Sequence, residues 1–226
     1  VELHEALYTT RAMRRVTSEP IPIESQARIL DAAVRAPSGG NVQGWRFLLV
    51  DDADTIAKLG PLYRDAMAQL WSTVYKARID QLAANPETEQ SRQFHTMRAS
   101  AQWLADHFEE VPLFLFAFSA FDPSGGSIYP AVWSAMLAAR AEGIGTCLTA
   151  VLSQFHLDEV LELLGVPSDA RWVCSACVSF GYPTGRRGVA SRRPVHEVTY
   201  RNRWGEPAGF IVPAPLWTDE LSQPPA

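Results

Sequence analysis

The sequence predicts a single domain of mixed helix and strand. Three observations predict it. Four short apolar runs, "RFLLV", "PLFLFAF", "TCLTAV" and "RWVCSACVSF", read as buried strands. Stretches of helical composition separate them. The 226 residues fit one large domain, with no internal repeat and no flexible linker.

The elements follow in order. In "IPIESQARILDAAVRAP", Ile29, Leu30, Ala33 and Val34 mark one apolar helix face. Pro22 suits its first turn, and Pro37 ends it, because the residue before proline leaves the helical region. After the strand "RFLLV", "ADTIAKLG" predicts a short helix closed by Gly60. From Leu62 to about Glu110 the composition is helical, with a break at "NPET". Trp71, Tyr75, Phe94, Trp103 and Phe108 lie there and predict core or lid packing. "PLFLFAF" is a strand, "DPSGGS" a loop, and "IYPAVWSAMLAARAEG" a helix ended by Gly143. "TCLTAV" is a strand, "SQFHLDEVLELLG" one amphipathic helix ended by Gly165, and "RWVCSACVSF" the last strand. Residues 186–226 form an extended arm rich in Arg, Pro and Gly. Tyr200, Trp204, Phe210, Ile211, Val212 and Trp217 make it too aromatic for a disordered tail. The arm is expected to dock, and a second copy of the chain is the nearest partner.

The totals exclude several classes. A net charge of −5 gives no reason to expect nucleic acid or an anionic membrane as partner. No apolar run approaches the ~20 residues of a membrane span. The first residues, "VELHEALYTTRAMRR", have acids and no apolar core ahead of their bases, the reverse of a secretory signal. The chain opens on valine, so an initiator methionine or more is expected upstream. Cys174-x-x-Cys177 lacks the second pair a structural zinc needs. It lies in a strand pattern, where buried thiols are expected, and a cytoplasmic location follows. His4, His95, His107, His156 and His196 show no metal-ligand spacing, and neither a Gly-x-Ser-x-Gly elbow nor His-Glu-x-x-His occurs. An enzyme built this way would leave its chemistry to a bound cofactor.

Four stretches carry chemical potential. "TTRAMRRV" groups Arg11, Arg14 and Arg15, close enough for two guanidinium groups to reach one phosphate. Alone, it also reads as a solvated basic turn. "APSGGNVQGWRF" presents backbone N–H groups at Ser38–Gly40, amides at Asn41 and Gln43, and an indole at Trp45 as a packing face. Alone, it is a helix-to-strand turn. "GIGTCLTAV" brackets a small turn with Gly143 and Gly145, but no Gly-x-Gly-x-x-Gly fingerprint follows. "SRRPVHEV" adds Arg192 and Arg193 before a proline. His196 and Glu197 are neighbours in an extended segment and face opposite ways.

In this order, over nearly the whole chain, these stretches together with "GYP" resemble the nitroreductase family of FMN-dependent oxidoreductases. The resemblance implies an α+β three-layer sandwich, a mostly antiparallel sheet flanked by helices, in an intertwined homodimer with FMN at the interface. It implies FMN phosphate and ribityl contacts from Arg11 and Arg14, with Ala12 and Met13 close through the backbone. It implies that Pro37, Ser38, Gly39 and Asn41 line the ring from the other subunit. Thr146, Leu148 and Thr149 cover the opposite ring face, and Arg192 or Arg193 returns to the phosphate. Thr10, Ala12, Gly44, Trp133 and Ser134 depart from frequent family residues.

The implied activity is hydride transfer from NAD(P)H through flavin N5 to a nitroaromatic, quinone or similar small acceptor. No side chain is assigned as catalytic, and Arg14 is the candidate for stabilising reduced flavin. Residues 62–107 are the expected lid. The alternatives are a reductive dehalogenase, a flavin-fragmenting enzyme, a flavin-sequestering protein without turnover, and an interaction domain without flavin.

Overall fold

The computed structural model describes residues 1–168 and 171–217. It forms two compact units, one of residues 12–185 and a terminal one of residues 1–11 with 186 onward. Helix α1 (Leu3–Thr9) belongs to the terminal unit. The larger unit holds α2 (Ile23–Ala33), β1 (Trp45–Val50), α3 (Ala53–Ser72), α4 (Lys76–Ala83), α5 (Glu89–Asp106), β2 (Leu113–Ser119), α6 (Ile128–Ala141), β3 (Gly145–Thr149), α7 (Val151–Phe155), α8 (Leu157–Leu163) and β4 (Val173–Gly181). The four strands pair in the order β1-β2-β4-β3, every pair antiparallel.

The period of two along a strand builds the layers. In β2, Phe114, Phe116 and Phe118 join Leu59, Tyr63, Leu104 and Phe108 of the α3 and α5 side. Leu113, Leu115 and Ala117 face the other way, onto Ile29 and Ala33 of α2 and Ala131, Val132, Ala135 and Ala139 of α6. The small residues of α6 let it lie close to both sheet and helix. Every residue of β2 is buried, so its sequence reads as a continuous apolar run rather than an alternation.

A bulge corrects the facing of two thiols. Ala117 opposes Ala176 and Phe118 opposes Cys174, so Ser175 is the extra residue. Residues three apart in a regular strand face opposite ways, yet Cys174 and Cys177 both enter the α3 side of the core. Cys147 joins them there, and all three are free and buried. Burial pushes the Cys174 thiol up to about 11.

Three expectations from sequence need correction. The helix expected to close at Gly60 runs twenty residues, to Ser72. Leu59 and Tyr63 are deeply buried on either side of Gly60-Pro61, and that packing outweighs the hydrogen bond lost at proline. A Cβ at Gly60 would meet the carboxylate of Glu109, an exposed side chain that can swing aside. "TCLTAV" is not all strand, because Val151 already opens α7. "SQFHLDEVLELLG" is two helices, broken at His156, whose φ is −134°. The His156 ring reaches back to α3, with Nε2 2.6 Å from Asp65 Oδ2.

In the terminal unit, Glu2 caps α1 by accepting from the His4 and Glu5 N–H groups. The arm joins α1 through a hydrogen bond from Ala190 N–H to Tyr8 O, 3.3 Å. Trp217 is buried and its ring lies 5.7 Å from that of Tyr8. His196 sits in a short 3-10 turn, Val195–Glu197, and its Nδ1 accepts from Val212 N–H at 3.3 Å. Trp204 is 91% exposed and Ile211 80% exposed in the single chain. Residues 218–226 of the predicted arm lie outside the described residues. Among the described residues, no helix is long and apolar enough to cross a membrane.

Candidate functional site

The residues after Arg11 run extended along β3 and the exit of β4. Ala12 bridges Thr146 in parallel, and Met13 N–H donates to Thr146 O at 2.8 Å. Val16 bridges Pro183, Thr17 N–H donates to Tyr182 O at 2.8 Å, and Thr184 N–H donates to Arg15 O at 3.1 Å. Two glycines permit this approach. A Cβ on Gly145 would lie 2.8 Å from Met13 Cβ, and one on Gly181 would lie 2.6 Å from Val16 Cβ. The glycine of the "GIGT" stretch is thus required by the protein's own packing. Gly143, at φ 83°, follows the C-terminus of α6, where a left-handed residue is favoured.

Met13 and Val16 are buried, which fixes the segment, and Arg14 is left half-buried between them. Its guanidinium donates to Ser100 Oγ of α5 at 3.3 Å. Burial raises the Cys147 pKa, and Arg14 opposes the rise. Burial likewise pushes the Tyr63 hydroxyl up, against a hydrogen bond with Thr149. Arg15 lies over the Trp103 ring, 5.2 Å from its centroid. Among the described residues no carboxylate pairs with Arg14 or Arg15. Thr146 is buried, Thr149 half-buried, and Leu148 39% exposed. Ala12, Met13, Arg14, Thr146, Leu148 and Thr149 therefore share one edge of the sheet.

The Pro37–Gly44 turn lies elsewhere. Gly40, Asn41 and Gln43 have φ of 57°, 54° and 52°, a left-handed run that is costly for residues other than glycine. Ser38 Oγ accepts from Gln43 N–H at 3.1 Å, and Gly39 N–H donates to Ser127 Oγ at 3.3 Å. Gln43 Nε2 donates to Asn41 Oδ1 at 3.2 Å, so the two exposed amides hold each other. A Cβ on Gly39 would meet nothing within 4 Å. Trp45 corrects the sequence reading. Its indole is buried in the layer with α2 and α6, beside Phe47, and presents no free face.

This turn feeds β1, one edge strand, whereas the Arg14 segment lies on β3, the other. Three strand spacings of about 4.8 Å put the two edges roughly 14 Å apart. The chain does not bring Ser38, Gly39 and Asn41 to Arg14 and Thr149. Each edge carries half of the predicted site.

Arg11, Arg192 and Arg193 are exposed and belong to the terminal unit. The Ala190–Tyr8 hydrogen bond ties the arm to α1 close to both ends of this basic set. Thr10 is 8% exposed, and its Oγ1 has no hydrogen-bond partner. Ser100 and Trp103 escaped the sequence reading. Ser100 stands 86 residues from Arg14, and no local pattern marks it.

The model named "Nitroreductase family" matches residues 7–182. A 5,6-dimethylbenzimidazole synthase of Rhodospirillum rubrum is 31% identical over 213 residues, covering 84% of this chain and 90% of that protein. An iodotyrosine deiodinase of Thermotoga neapolitana is 28% identical over 183 residues, covering 80% of this chain and 88% of its own. Among solved structures, an oxidized iodotyrosine deiodinase bound to FMN and 3-iodo-L-tyrosine has a TM-score of 0.68 at 24% identity, covering 89% of this chain and 99% of that one. With the antiparallel sheet between its helical layers and the arginine segment along β3, the chain belongs to the nitroreductase family.

Proposed function

We propose that the chain is an FMN-dependent oxidoreductase, active as a homodimer, that moves a hydride from NADH or NADPH to a conjugated organic acceptor such as a nitroaromatic or quinone. The observation that carries this reading is Arg14, a half-buried guanidinium with no carboxylate partner on an edge lined by Thr146, Leu148 and Thr149.

The residues present fit FMN. Gly39 is exposed, and a Cβ on it would meet no atom within 4 Å, so this chain leaves that side of the turn open. The Asn41–Gln43 amide pair suits a ring edge that alternates donors and acceptors. Bound there, FMN supplies hydride transfer at its N5.

The chain's own groups bind and orient. Arg14 holds a positive charge where negative charge would gather, in partly dry surroundings that strengthen its effect. Thr146, Leu148 and Thr149 carry one ring face, with Arg14 beside it toward the ribityl chain and Ala12 and Met13 close through the backbone. Pro37, Ser38, Gly39 and Asn41 come from a second copy, because the edges of one sheet stand too far apart. The assignment of Arg11, Arg192 and Arg193 to the phosphate rests on the family resemblance. Of residues 62–107, the exposed turns around α4 are the lid that selects the acceptor, because Tyr63, Met67, Phe94 and Leu104 of the same stretch are core.

A second reading is favoured by the relatives named for 5,6-dimethylbenzimidazole synthesis and iodotyrosine deiodination, which match most of this chain. One experiment separates the two. The FMN-loaded protein is mixed anaerobically with NADPH, then NADH, and the flavin band at about 450 nm is followed. Rapid bleaching supports the nicotinamide-dependent reductase. A band that resists both nicotinamides but yields to dithionite supports flavin sequestration without turnover, or a specialised relative served by another electron donor.

A further inference from the structure

We propose that Ser100 and Trp103 of α5 are positioning residues for Arg14 and Arg15, so that binding at the Arg14 edge and the local order of α5 are coupled. The proposal rests on the FMN reading above. Two contacts carry it. Arg14 donates to Ser100 Oγ at 3.3 Å, and the Arg15 guanidinium lies 5.2 Å from the centre of the Trp103 ring. Ser100 and Trp103 are three residues apart, so both stand on one flank of α5 a single turn apart.

The flank is held in place by the rest of the helix. Phe94, Ala101, Leu104 and Ala105 of α5 are buried in the core. That apolar stripe sets the rotation of α5 and turns Ser100 and Trp103 toward residues 14–15. Trp103 is further fixed by the His107 ring, stacked 4.1 Å away at 10°. The receiving segment is fixed as well, by Met13 and Val16 packed against Gly145 and Gly181.

The chemistry of guanidinium makes the coupling positive. It carries five N–H donors in a rigid plane. Ser100 engages one of those donors and leaves the others for an anionic or carbonyl-bearing ligand. A ligand that holds Arg14 still favours its bond to Ser100, and an ordered α5 presents Arg14 already oriented. Such preorganisation acts reciprocally on the two events. Ser100 and Trp103 touch no ligand in this scheme and act through the arginines.

The test measures FMN affinity and hydrogen exchange together. The full chain is titrated with FMN as wild type, Ser100→Ala, Ser100→Thr and Trp103→Leu, and α5 amide exchange is followed with and without FMN. Loss of one long hydrogen bond of ordinary strength predicts that Ser100→Ala weakens FMN binding by roughly 3- to 10-fold. Ser100→Thr, which keeps the hydroxyl, recovers most of it. FMN slows exchange in α5 of the wild type, and much less in Ser100→Ala. Where Trp103→Leu fails to fold, the serine variants still decide. Equal affinity in wild type and folded Ser100→Ala, or α5 exchange indifferent to FMN, overturns the coupling alone. A wild type that takes up no FMN overturns the underlying site reading.

Discussion

Two glycine-bracketed turns lead into strands, and the chain uses them differently. At Gly145 the structure itself fills the space: Met13 backs it, and a side chain there would displace the arginine segment. At Gly39–Gly40 the space beside Gly39 is empty, and the backbone enters the left-handed region at Gly40, Asn41 and Gln43. In sequence the two look alike, a small residue pair before an apolar run. A glycine required by a neighbour reports on the fold, whereas a glycine facing open space leaves room for something outside the chain.

The sharpest way to break this contrast is to add side chains to each. Gly181→Val adds bulk 2.6 Å from Val16 and belongs with Gly145 in clamping the arginine segment. Urea denaturation should show a loss of about 1–3 kcal/mol, the cost of overpacking a filled site. An unchanged midpoint would mean that residues 12–17 do not lie where the pairing places them.

The filled turn is also held by charge. Glu142, the last residue before Gly143, accepts two hydrogen bonds from Arg28 at 2.7 Å each and one from Ser25 at 3.0 Å. The Arg28 bond, then the Ser25 bond, hold its carboxyl down to about 2. A carboxylate with a folded pKa below its unfolded one stabilises above the unfolded value, near 4.5, and loses that contribution as pH falls toward 2. Arg28→Ala should flatten the fall in stability across this window. A fall as steep as in the wild type would show that the clamp contributes nothing measurable. The effect is smaller than that at Gly181, because the pair is exposed to solvent.

The smallest change in stability is expected at Gly39→Ala, within about 0.5 kcal/mol, because the new methyl meets no atom. FMN affinity should nevertheless drop, since the methyl enters the space assigned to the ring. A variant that bound FMN as the wild type does would detach this turn from the site.

Much of this was legible in the sequence. The four apolar runs are the four strands, give or take their ends, because strands buried on both faces leave continuous apolar stretches. The arginines and the Ser38–Asn41 turn stood out because guanidinium groups, glycines and amides keep their chemistry wherever they are placed. What was not legible depends on long-range packing. The helix through Gly60-Pro61 is held by Leu59 and Tyr63 in the core, which no local propensity encodes. Trp45 looked like a ligand face because its neighbours are polar, yet alternation along β1 turns it inward. The partnership of Ser100 with Arg14 spans 86 residues. The division of the site between opposite edges follows from the order β1-β2-β4-β3, which sequence pattern alone does not specify.

The central claim is that the two edges complete each other only across two copies of the chain, and mixed dimers test it directly. Arg14→Glu disables one edge and Gly39→Trp blocks the other, at a position where a Cβ meets no atom within 4 Å. Each variant alone should bind FMN poorly. Co-refolded, the mixture should yield a mixed dimer with one intact site, binding one FMN per two chains at wild-type affinity. A mixed dimer that binds no better than its parents would contradict a site shared between copies.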